Sequence, residues 1–499
     1  METLQRSSLI KTLTSSVTAK LLILFLCAAF FAFYHSNFAY SSDEVWSLKT
    51  ASLDYSAEMK MLKADVHPPL YYQFLYAWVR AVGNSERAVR GLSALFYLAS
   101  VLSVYGMGRE LYGEKIGLII AAIYLSSPLT ILAAQFGRMY ALLSLLSVLS
   151  TWFYLKLITK RTNRIPFACF IIINILGTFT HIAFFFLLFA EIVFYLVFIR
   201  KDLKVFTLAI AGSVLPYLIL WAPILLKQVD KSREGLAWVA SPNISMAREL
   251  IVLYGGAMWL LLPALIYFWW RTGFEPLPKF AQLDKKSPPL WLLVITLLTP
   301  LVISFAKPIF NPRLAIVGVH LFALTFGAVI GKRANYLLPL GLVTLTLIGI
   351  VFLHPVSSSC DNRSIAAHIV RSTKDGDAVI FTGLTRLPVD FYLQQMTPTK
   401  TLIETSFPSE IDQHPGYEGN ITDPSRQQDL MREARDLAAK LGGLKSETND
   451  RRLLVFRGLH PQIDSTIDQQ LREHFELMPG MQFKCEDPSP YFNEVVAYH

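Results

Sequence analysis

The first 353 residues of this 499-residue chain consist largely of apolar stretches of similar length, and that length limits what they can form. A helix of roughly 20 mainly apolar residues crosses the hydrocarbon core of a bilayer. By this criterion the sequence contains about eleven candidate spans. They lie near residues 20–40, 88–108, 114–133, 139–157, 165–180, 183–199, 205–226, 249–270, 290–306, 314–331 and 335–353. The sequence therefore predicts an α-helical polytopic membrane protein.

The C-terminal part has a different composition. Only 17% of all residues are charged, against about a quarter in soluble domains, yet charges become frequent after residue 355. There, short apolar runs alternate with helical patterns, which is typical of a small α/β domain of three layers. The runs are DAVIFTG, RLPVDFYLQQM, a polar helix from Asp423 to Leu441, RLLVFRGL, a helix near Ile467 to Met478, and FNEVVAY. We predict a membrane domain over 1–354 and a soluble α/β domain over 355–499.

The basic residues predict the orientation of the chain. With the N-terminus in the cytoplasm, nearly all short basic connections fall on the cytoplasmic side, as the positive-inside rule requires. These connections include Arg109, Lys115, Lys156, Lys160, Arg161, Arg164, Arg200, Lys201, Lys204, Lys332 and Arg333. The assignment requires residues 67–82 to lie in the interface rather than to cross. It predicts a multi-pass protein of the cytoplasmic membrane, N-in and C-out, in which Cys360 and Cys485 could pair outside the cell.

Polar and ionisable residues gather at the helix ends of the predicted outer face. The first external loop, 41–87, carries an acidic pair, Asp43 and Glu44. Seven further polar or ionisable residues lie at the outer helix ends, and each of them alone also fits a structural role, such as a turn or an interface anchor. Together the outer arginines run against the charge bias of the other loops, which favours a lipid phosphate as their partner. The residues are Lys63, His67, Arg90, Arg138, Tyr140, His181 and Arg313.

This set of residue types predicts a chemistry. A carboxylate beside a hydroxyl group can act as a general base, and Arg or Lys can stabilise charge that builds on a phosphate leaving group. The substrate it suggests is a sugar carried on a membrane lipid phosphate. Nucleotide sugars are not expected as donors, because the sequence has no P-loop or glycine-rich strand-turn-helix pattern. The positive net charge is concentrated in cytoplasmic loops, so a nucleic-acid partner is not needed to explain it.

At these residues the chain resembles the superfamily C glycosyltransferases, in particular the bacterial family 39 branch related to protein O-mannosyltransferases and to aminoarabinose transferases of lipid A. The resemblance covers most of the first 200 residues and a short stretch near 313. It rests on SSDEVWSLKTA, DVHPPLYYQFLYAWVRAVGNSERAVRGLSALF, YLSSPLTILAAQFGRMYALLSLLSVLS, GTFTHIAFF and FNPRLAIVGV. The HPPLYY and RMYAL motifs, in that order and spacing, are its most specific parts.

The resemblance implies roles for individual residues. It places Asp43 as the base that takes the acceptor proton, with Glu44 assisting or orienting, and it places Arg138 and Tyr140 at the phosphate of the lipid carrier. Phe136 stands where related proteins often have an acid, so one oxygen ligand of a divalent metal is missing and metal dependence stays open. Leu314 replaces an aromatic residue that often follows the arginine matched by Arg313.

Two other classes of function remain open. A lipid-linked sugar flippase or secondary transporter would place ionisable residues near the bilayer midplane, and a glycan polymerase or ligase would use a similar membrane domain. The donor sugar, the carrier lipid, and the nature of the acceptor, whether glycan, lipid or protein, do not follow from the residues. For the C-terminal domain we expect a role in acceptor recognition or as a lid.

Overall fold

A computed structural model of the chain separates into two compact units. The helical unit comprises Met1–Asn37, Ala51–Gln228 and Val239–Pro355, and the sheet unit comprises Phe38–Thr50, Val229–Trp238 and Val356–His499. The structure describes residues 17–34, 36–64, 67–159, 164–227, 241–257, 288–333, 337–353, 361–382, 386–396, 401–409, 424–448, 452–457, 461–478, 483–489 and 492–498.

The first half of the chain forms a series of mostly apolar helices, interrupted by a short polar pair. In chain order they are α1 Val17–Tyr34, α2 Ser42–Ser52, α3 Tyr55–Ala64, α4 Leu70–Val82, α5 Glu86–Tyr112, α6 Glu114–Ser126, α7 Pro128–Ala134, α8 Tyr140–Thr159, α9 Arg164–Thr178, α10 Phe184–Phe194 and α11 Leu203–Leu220. A π-helical turn, Tyr195–Ile199, extends α10. After these come α12 Ile244–Gly255, α13 Pro288–Ala306, a 3₁₀ helix Pro312–Gly318, α14 Val319–Arg333 and α15 Leu337–Leu353.

Within the described ranges, five helices are long and apolar enough to cross a membrane: α1, α5, α8, α11 and α13. The pair α6 and α7 makes a sixth if the two are counted as one bent span. Four further apolar stretches are shorter: Arg164–Thr178, Phe184–Ile199, Pro312–Gly327 and Gly341–Val351. The mostly helical, apolar architecture is as expected, while the number of about 11 spans and their N-in, C-out orientation remain predictions.

Two irregular features shape the helical unit where the candidate site lies. The helix α4 starts after His67-Pro68-Pro69 and runs for 13 residues, too few to cross a bilayer at 1.5 Å per residue. Helices α6 and α7 meet at an angle of 65°, because Pro128 has no backbone N–H to continue α6. The hydroxyl of Thr130 accommodates the break by donating to Tyr124 O at 2.8 Å.

The sheet unit contains a mixed five-stranded sheet with helices between its parallel strands. After α16 Asn362–Ser372 come β1 Ala378–Thr382, α17 Arg386–Met396, β2 Ile403–Phe407, α18 Pro424–Thr448, β3 Leu453–Arg457, α19 Pro461–Leu471, β4 Phe483–Ser489 and β5 Phe492–Tyr498. The strand order is β2-β1-β3-β5-β4. Strands β2, β1 and β3 are parallel, with Ala378 paired to both Ile403 and Leu453, while β5 runs antiparallel to β3 and to β4.

Side chains on both faces of the central strand β1 are buried. Ala378 and Ile380 of β1 point into a core shared with α18 and α19. Since successive strand side chains alternate between faces, Val379 and Phe381 point to the other face, and both are fully buried. The helix predicted near Ile467 to Met478 instead spans Pro461–Leu471, because proline is favoured at the start of a helix. The proposed partner of Cys485, Cys360, lies outside the described residues.

Candidate functional site

Arg138 is the centre of a cluster in the helical unit. It lies in the loop between α7 and α8 and is only 4% exposed. The hydroxyl of Ser93 on α5 donates to the carbonyl of Phe136 at 2.8 Å and holds this loop in place. Arginine stays positively charged in proteins, so the loop presents a permanent buried cation.

The start of α4 supplies two contacts to this cation. Arg138 Nη1 donates to Tyr72 Oη at 3.3 Å, and Arg138 Nη2 lies 3.3 Å from His67 Nε2. A guanidinium group has no acceptor atom, so His67 Nε2 must be the acceptor in this pair. His67 precedes Pro68-Pro69 and Tyr72 is buried in the first turn of α4. The HPPLYY motif therefore fixes the direction in which Arg138 points.

His181 lies in the turn between α9 and α10, with its ring 5.8 Å from that of His67. The backbone N–H of Ala183 donates to His181 Nδ1 at 3.0 Å. Burial, followed by the nearby His67 and Arg138, lowers the pKa of His181 to about 3. The ring is therefore neutral at physiological pH, and because Nδ1 accepts, its proton is on Nε2. His181 is a hydrogen-bond donor beside the buried cation, without a charge of its own.

An aromatic pair and a second arginine complete the cluster. The rings of Phe136 and Tyr140 are stacked, with centroids 6.2 Å apart and an angle of 10° between planes. The guanidinium of Arg313 lies 5.8 Å from the centre of the Phe136 ring, within the range of a cation–π interaction. Tyr140 also approaches His181, at 6.1 Å between ring centres. The side chain of Arg313 is exposed, so the cluster joins a buried cation to an accessible one.

The structure thus brings together five of the residues predicted from the sequence: His67, Arg138, Tyr140, His181 and Arg313. Arg90 is engaged with the end of α1, since its Nη1 donates to Ser36 O at 3.2 Å. Lys63 is exposed in the last turn of α3.

The acidic pair lies at the start of α2, in the part of the chain that belongs to the sheet unit. Glu44 is 1% exposed, and its Oε2 accepts from the backbone N–H of Ser41 at 3.0 Å and from the Ser41 hydroxyl at 3.2 Å. The backbone N–H of Glu44 lies 3.4 Å from Ser41 Oγ. Ser41 and Glu44 thus form a capping box at the helix N-terminus. Asp43 is exposed, so the two acids have different environments.

Tyr72 and Phe136 belong to the cluster but are not among the candidate site residues from the sequence. Tyr72 lies within the HPPLYY motif, yet the motif does not say which of its two tyrosines faces the arginine. Phe136 marks the loss of an acid, and the structure shows that its ring instead supports Tyr140 and Arg313. Over the described ranges, the structure brings together no group of three or more His, Cys, Asp or Glu side chains that could hold a metal ion.

A second polar group lies inside the helical bundle. Glu191 on α10 is fully buried, and Ser150 Oγ lies 3.2 Å and 3.3 Å from its two carboxyl oxygens. Ser150 also lies 2.6 Å from Asn174 Oδ1, and Asn174 Nδ2 lies 3.4 Å from Ser213 Oγ. Four helices, α8 to α11, are thereby connected through one hydrogen-bonded network.

A comparison with known families finds a match for the region that contains most of the cluster. Residues 66–226 match the model of a family described as dolichyl-phosphate-mannose-protein mannosyltransferase. This region is similar to that mannosyltransferase family. The match includes His67, Arg138, Tyr140 and His181, and it confirms the resemblance to family 39 of the superfamily C glycosyltransferases. A search of curated protein sequences finds no significant match.

Solved structures show the same fold over nearly the whole chain. ArnT from Cupriavidus metallidurans bound to undecaprenyl phosphate matches with a TM-score of 0.58 and 13% identity, covering 96% of this chain and 97% of that one. ArnT in the apo state matches with a TM-score of 0.58 and 12% identity, covering 97% and 98%. Archaeal oligosaccharyltransferase AglB from Archaeoglobus fulgidus, in complex with an inhibitory peptide and a dolichol-phosphate, matches with a TM-score of 0.48 and 10% identity, covering 96% and 74%. The two ArnT structures show that the chain shares their fold.

Proposed function

We propose that the protein moves a sugar, a hexose or a pentose, from a polyprenyl-phosphate-linked donor to a hydroxyl group of a glycan, lipid or protein acceptor. The reaction takes place on the extracytoplasmic side of the cytoplasmic membrane. Asp43 is the general base, and the cluster around Arg138 binds the donor phosphate. The acceptor O–H loses its proton to the Asp43 carboxylate, and its oxygen attacks the anomeric carbon. The bond from that carbon to the phosphate oxygen breaks, so that polyprenyl phosphate leaves with the electron pair.

The observation that carries this proposal is the combination of two guanidinium groups with uncharged donors in one cluster. Arg138 and Arg313 supply positive charge, and His181 Nε2 supplies a neutral donor. Charge-assisted hydrogen bonds to phosphate oxygens are short and strong. They become stronger still as the leaving phosphate gains charge, which is the requirement for catalysis. The undecaprenyl phosphate bound to ArnT, which has the same fold, is consistent with this class of ligand.

The assignment of Asp43 rather than Glu44 as the base rests on their different environments. The Glu44 carboxylate is buried and accepts two hydrogen bonds from Ser41. It therefore caps the N-terminus of α2. The exposed Asp43 side chain follows the N-cap by two residues in the first turn of α2. A base must reach its substrate within hydrogen-bond distance, and only the exposed acid of the pair can be approached from solvent.

The test is transfer of radiolabelled sugar from a polyprenyl-phosphate donor by the purified full chain. Asp43→Asn should lower kcat by at least about 100-fold, the range typical of losing a general base. Asp54→Asn is the matched control, because Asp54 is an exposed acid of the same loop that caps α3 through the N–H of Ala57. Asparagine caps as well as aspartate does. Full activity of Asp43→Asn would reject Asp43 as the base.

A flippase or transporter is the second candidate, because two ionisable residues lie inside helices of the bundle. Glu191 contacts Ser150, and the fully buried His320 lies 2.8 Å from Thr151 through its Nε2. Intramembrane residues of this kind often mark transport pathways. Reconstituted vesicles separate the classes: movement of a lipid-linked sugar across the bilayer, with no transfer to any acceptor, would favour the transporter. A growing glycan product would identify a polymerase or ligase.

A further inference from the structure

The sheet unit holds the backbone that leads into α2. Phe38–Thr50 belongs to this unit together with Val356–His499, although more than 300 residues separate them in the chain. Tyr40, the residue before the N-cap Ser41, is fully buried. Two regions far apart in sequence therefore belong to one compact unit, which includes Tyr40, three residues before Asp43.

Both backbone polar groups of Tyr40 are bound by side chains of the sheet unit. The N–H of Tyr40 donates to the hydroxyl oxygen of Tyr392 on α17 at 2.8 Å. The carbonyl of Tyr40 accepts from Asn362 Nδ2, in the first turn of α16, at 2.8 Å. The Tyr40 ring packs edge to face against Phe391, with centres 5.4 Å apart and planes at 81°. Three contacts thus fix both the position and the rotation of this residue.

The two residues that bind Tyr40 are themselves held in place. Asp361 caps α16 by accepting from the N–H of Ser364 at 2.8 Å, which sets the position of Asn362. The guanidinium of Arg363 lies 5.5 Å from the centre of the Tyr392 ring. Tyr392 is 2% exposed. A rigid support of this kind is what an active-site residue needs in order to hold a productive geometry.

The chain from Tyr40 to Asp43 has little freedom to move independently. Ser41 is fixed by the capping box with Glu44, and the first helical hydrogen bond runs from Val45 N to Ser41 O at 3.0 Å. Asp43 is therefore only three residues from the bound backbone of Tyr40. A shift of Tyr40 must be transmitted to the Asp43 carboxylate.

We propose that Tyr392 and Asn362 are positioning residues for Asp43, so that the sheet unit serves the chemical step by holding the N-terminus of α2. This inference rests on the proposed role of Asp43 as the base. It differs from a role in acceptor recognition or as a lid, because loss of either contact lowers the rate with every acceptor. A displacement of about 1 Å at a catalytic group can lower a rate by as much as 100-fold.

The test combines a structural and a kinetic measurement on the full chain. Tyr392→Phe removes the acceptor for the Tyr40 N–H, and Asn362→Ala removes the donor to its carbonyl. We expect amide hydrogen exchange in residues 38–50 to become about tenfold faster and kcat to fall roughly tenfold, with the donor KM unchanged. The matched control is Tyr498→Phe, which removes another buried tyrosine hydroxyl of the same unit, one that contacts Asp468 and Arg457.

Combining the variants with Asp43→Asn separates positioning from general destabilisation. Once the base is gone, its position no longer matters, so Tyr392→Phe should cause no further loss of kcat in that background. An equal loss in both backgrounds, an unchanged exchange rate, or the same effects in Tyr498→Phe would overturn the proposal. If Asp43→Asn alone retains full activity, the assignment of the base fails. Exchange in residues 38–50 would then report separately whether the contacts to Tyr40 hold this segment.

Discussion

Replacing Arg138 with glutamine should weaken the binding of a polyprenyl phosphate by about 100-fold and leave the binding of the uncharged polyprenol unchanged. A hydrogen bond to a charged group contributes roughly 1.5–3 kcal/mol, and a guanidinium can donate two in parallel to a phosphate. Two such bonds at the lower figure amount to about 3 kcal/mol, which corresponds to about a 100-fold change in Kd. The polyprenol retains the same hydrocarbon contacts, so it serves as the reference ligand.

Two further variants separate charge from geometry. Arg138→Lys keeps the positive charge but not the planar pair of donors, so its Kd for the phosphate should fall between those of the wild type and Arg138→Gln. Tyr72→Phe removes only a hydroxyl that accepts from Arg138 Nη1 at 3.3 Å. We expect less than about a tenfold effect from it, since one neutral hydrogen bond contributes about 1 kcal/mol.

The assay is equilibrium binding of decaprenyl phosphate and decaprenol to the purified protein in nanodiscs. Arg109→Gln is the matched control, since Arg109 is an exposed arginine in the last turn of α5 and is predicted to face the cytoplasm. Thermal unfolding of each variant checks that the protein is folded. Equal weakening for both lipids would show that Arg138 supports the fold of the pocket rather than binding phosphate, and no weakening would remove it from the site.

Substitutions at three other positions test separate parts of the structure. Glu44→Gln should lower kcat far less than Asp43→Asn does, because a glutamine can keep the capping box, whereas an equal loss would assign chemistry to both acids. Ser150 Oγ lies 3.2 Å and 3.3 Å from the two carboxyl oxygens of the fully buried Glu191. Glu191→Gln keeps a polar side chain of the same shape for this contact and should preserve the unfolding temperature, whereas Glu191→Leu removes both oxygens from the network and should lower it. Burial and the neighbouring Glu404, partly offset by Arg386, raise the pKa of Asp390 to about 7. The sheet unit should lose stability as the pH rises from about 4 to 7, and calorimetry on Asp390→Asn should show a flatter profile.

Much of the cluster is predictable because membrane topology restricts where helix ends can lie. The apolar lengths and the basic loops together predict that His67, Arg138 and His181 lie at helix ends on the same side of the membrane. Which of these helix ends are neighbours depends on helix packing, which the structure supplies. The final strand, FNEVVAY, is also predictable from the sequence, because alternating apolar residues rich in valine and aromatics favour a strand.

Other features depend on contacts that leave no local trace in the sequence. The bond between Tyr40 N and Tyr392 joins residues 352 positions apart, and no periodicity or turn signal marks either one. The different environments of Asp43 and Glu44, by contrast, are indicated by the local sequence. The spacing Ser41-x-x-Glu44 is a capping-box signature, so the sequence itself carries a local signal that distinguishes the capping acid from its exposed neighbour.

The electrostatics of the cluster connect its packing to its proposed chemistry. A buried arginine remains charged, and a protonated imidazole beside it would repel it; burial prevents this by lowering the pKa of His181 to about 3. Because the folded-state pKa lies below the usual value of 6.5, the neutral ring favours folding above pH 6.5, and this contribution declines as the pH falls toward 3. Well above pH 3 the protonation of His181 is constant in the native protein. Any titration of the transfer rate between about pH 5 and 8, the range in which an ordinary histidine changes charge, must therefore come from another group of the enzyme, from the acceptor or from the donor phosphate.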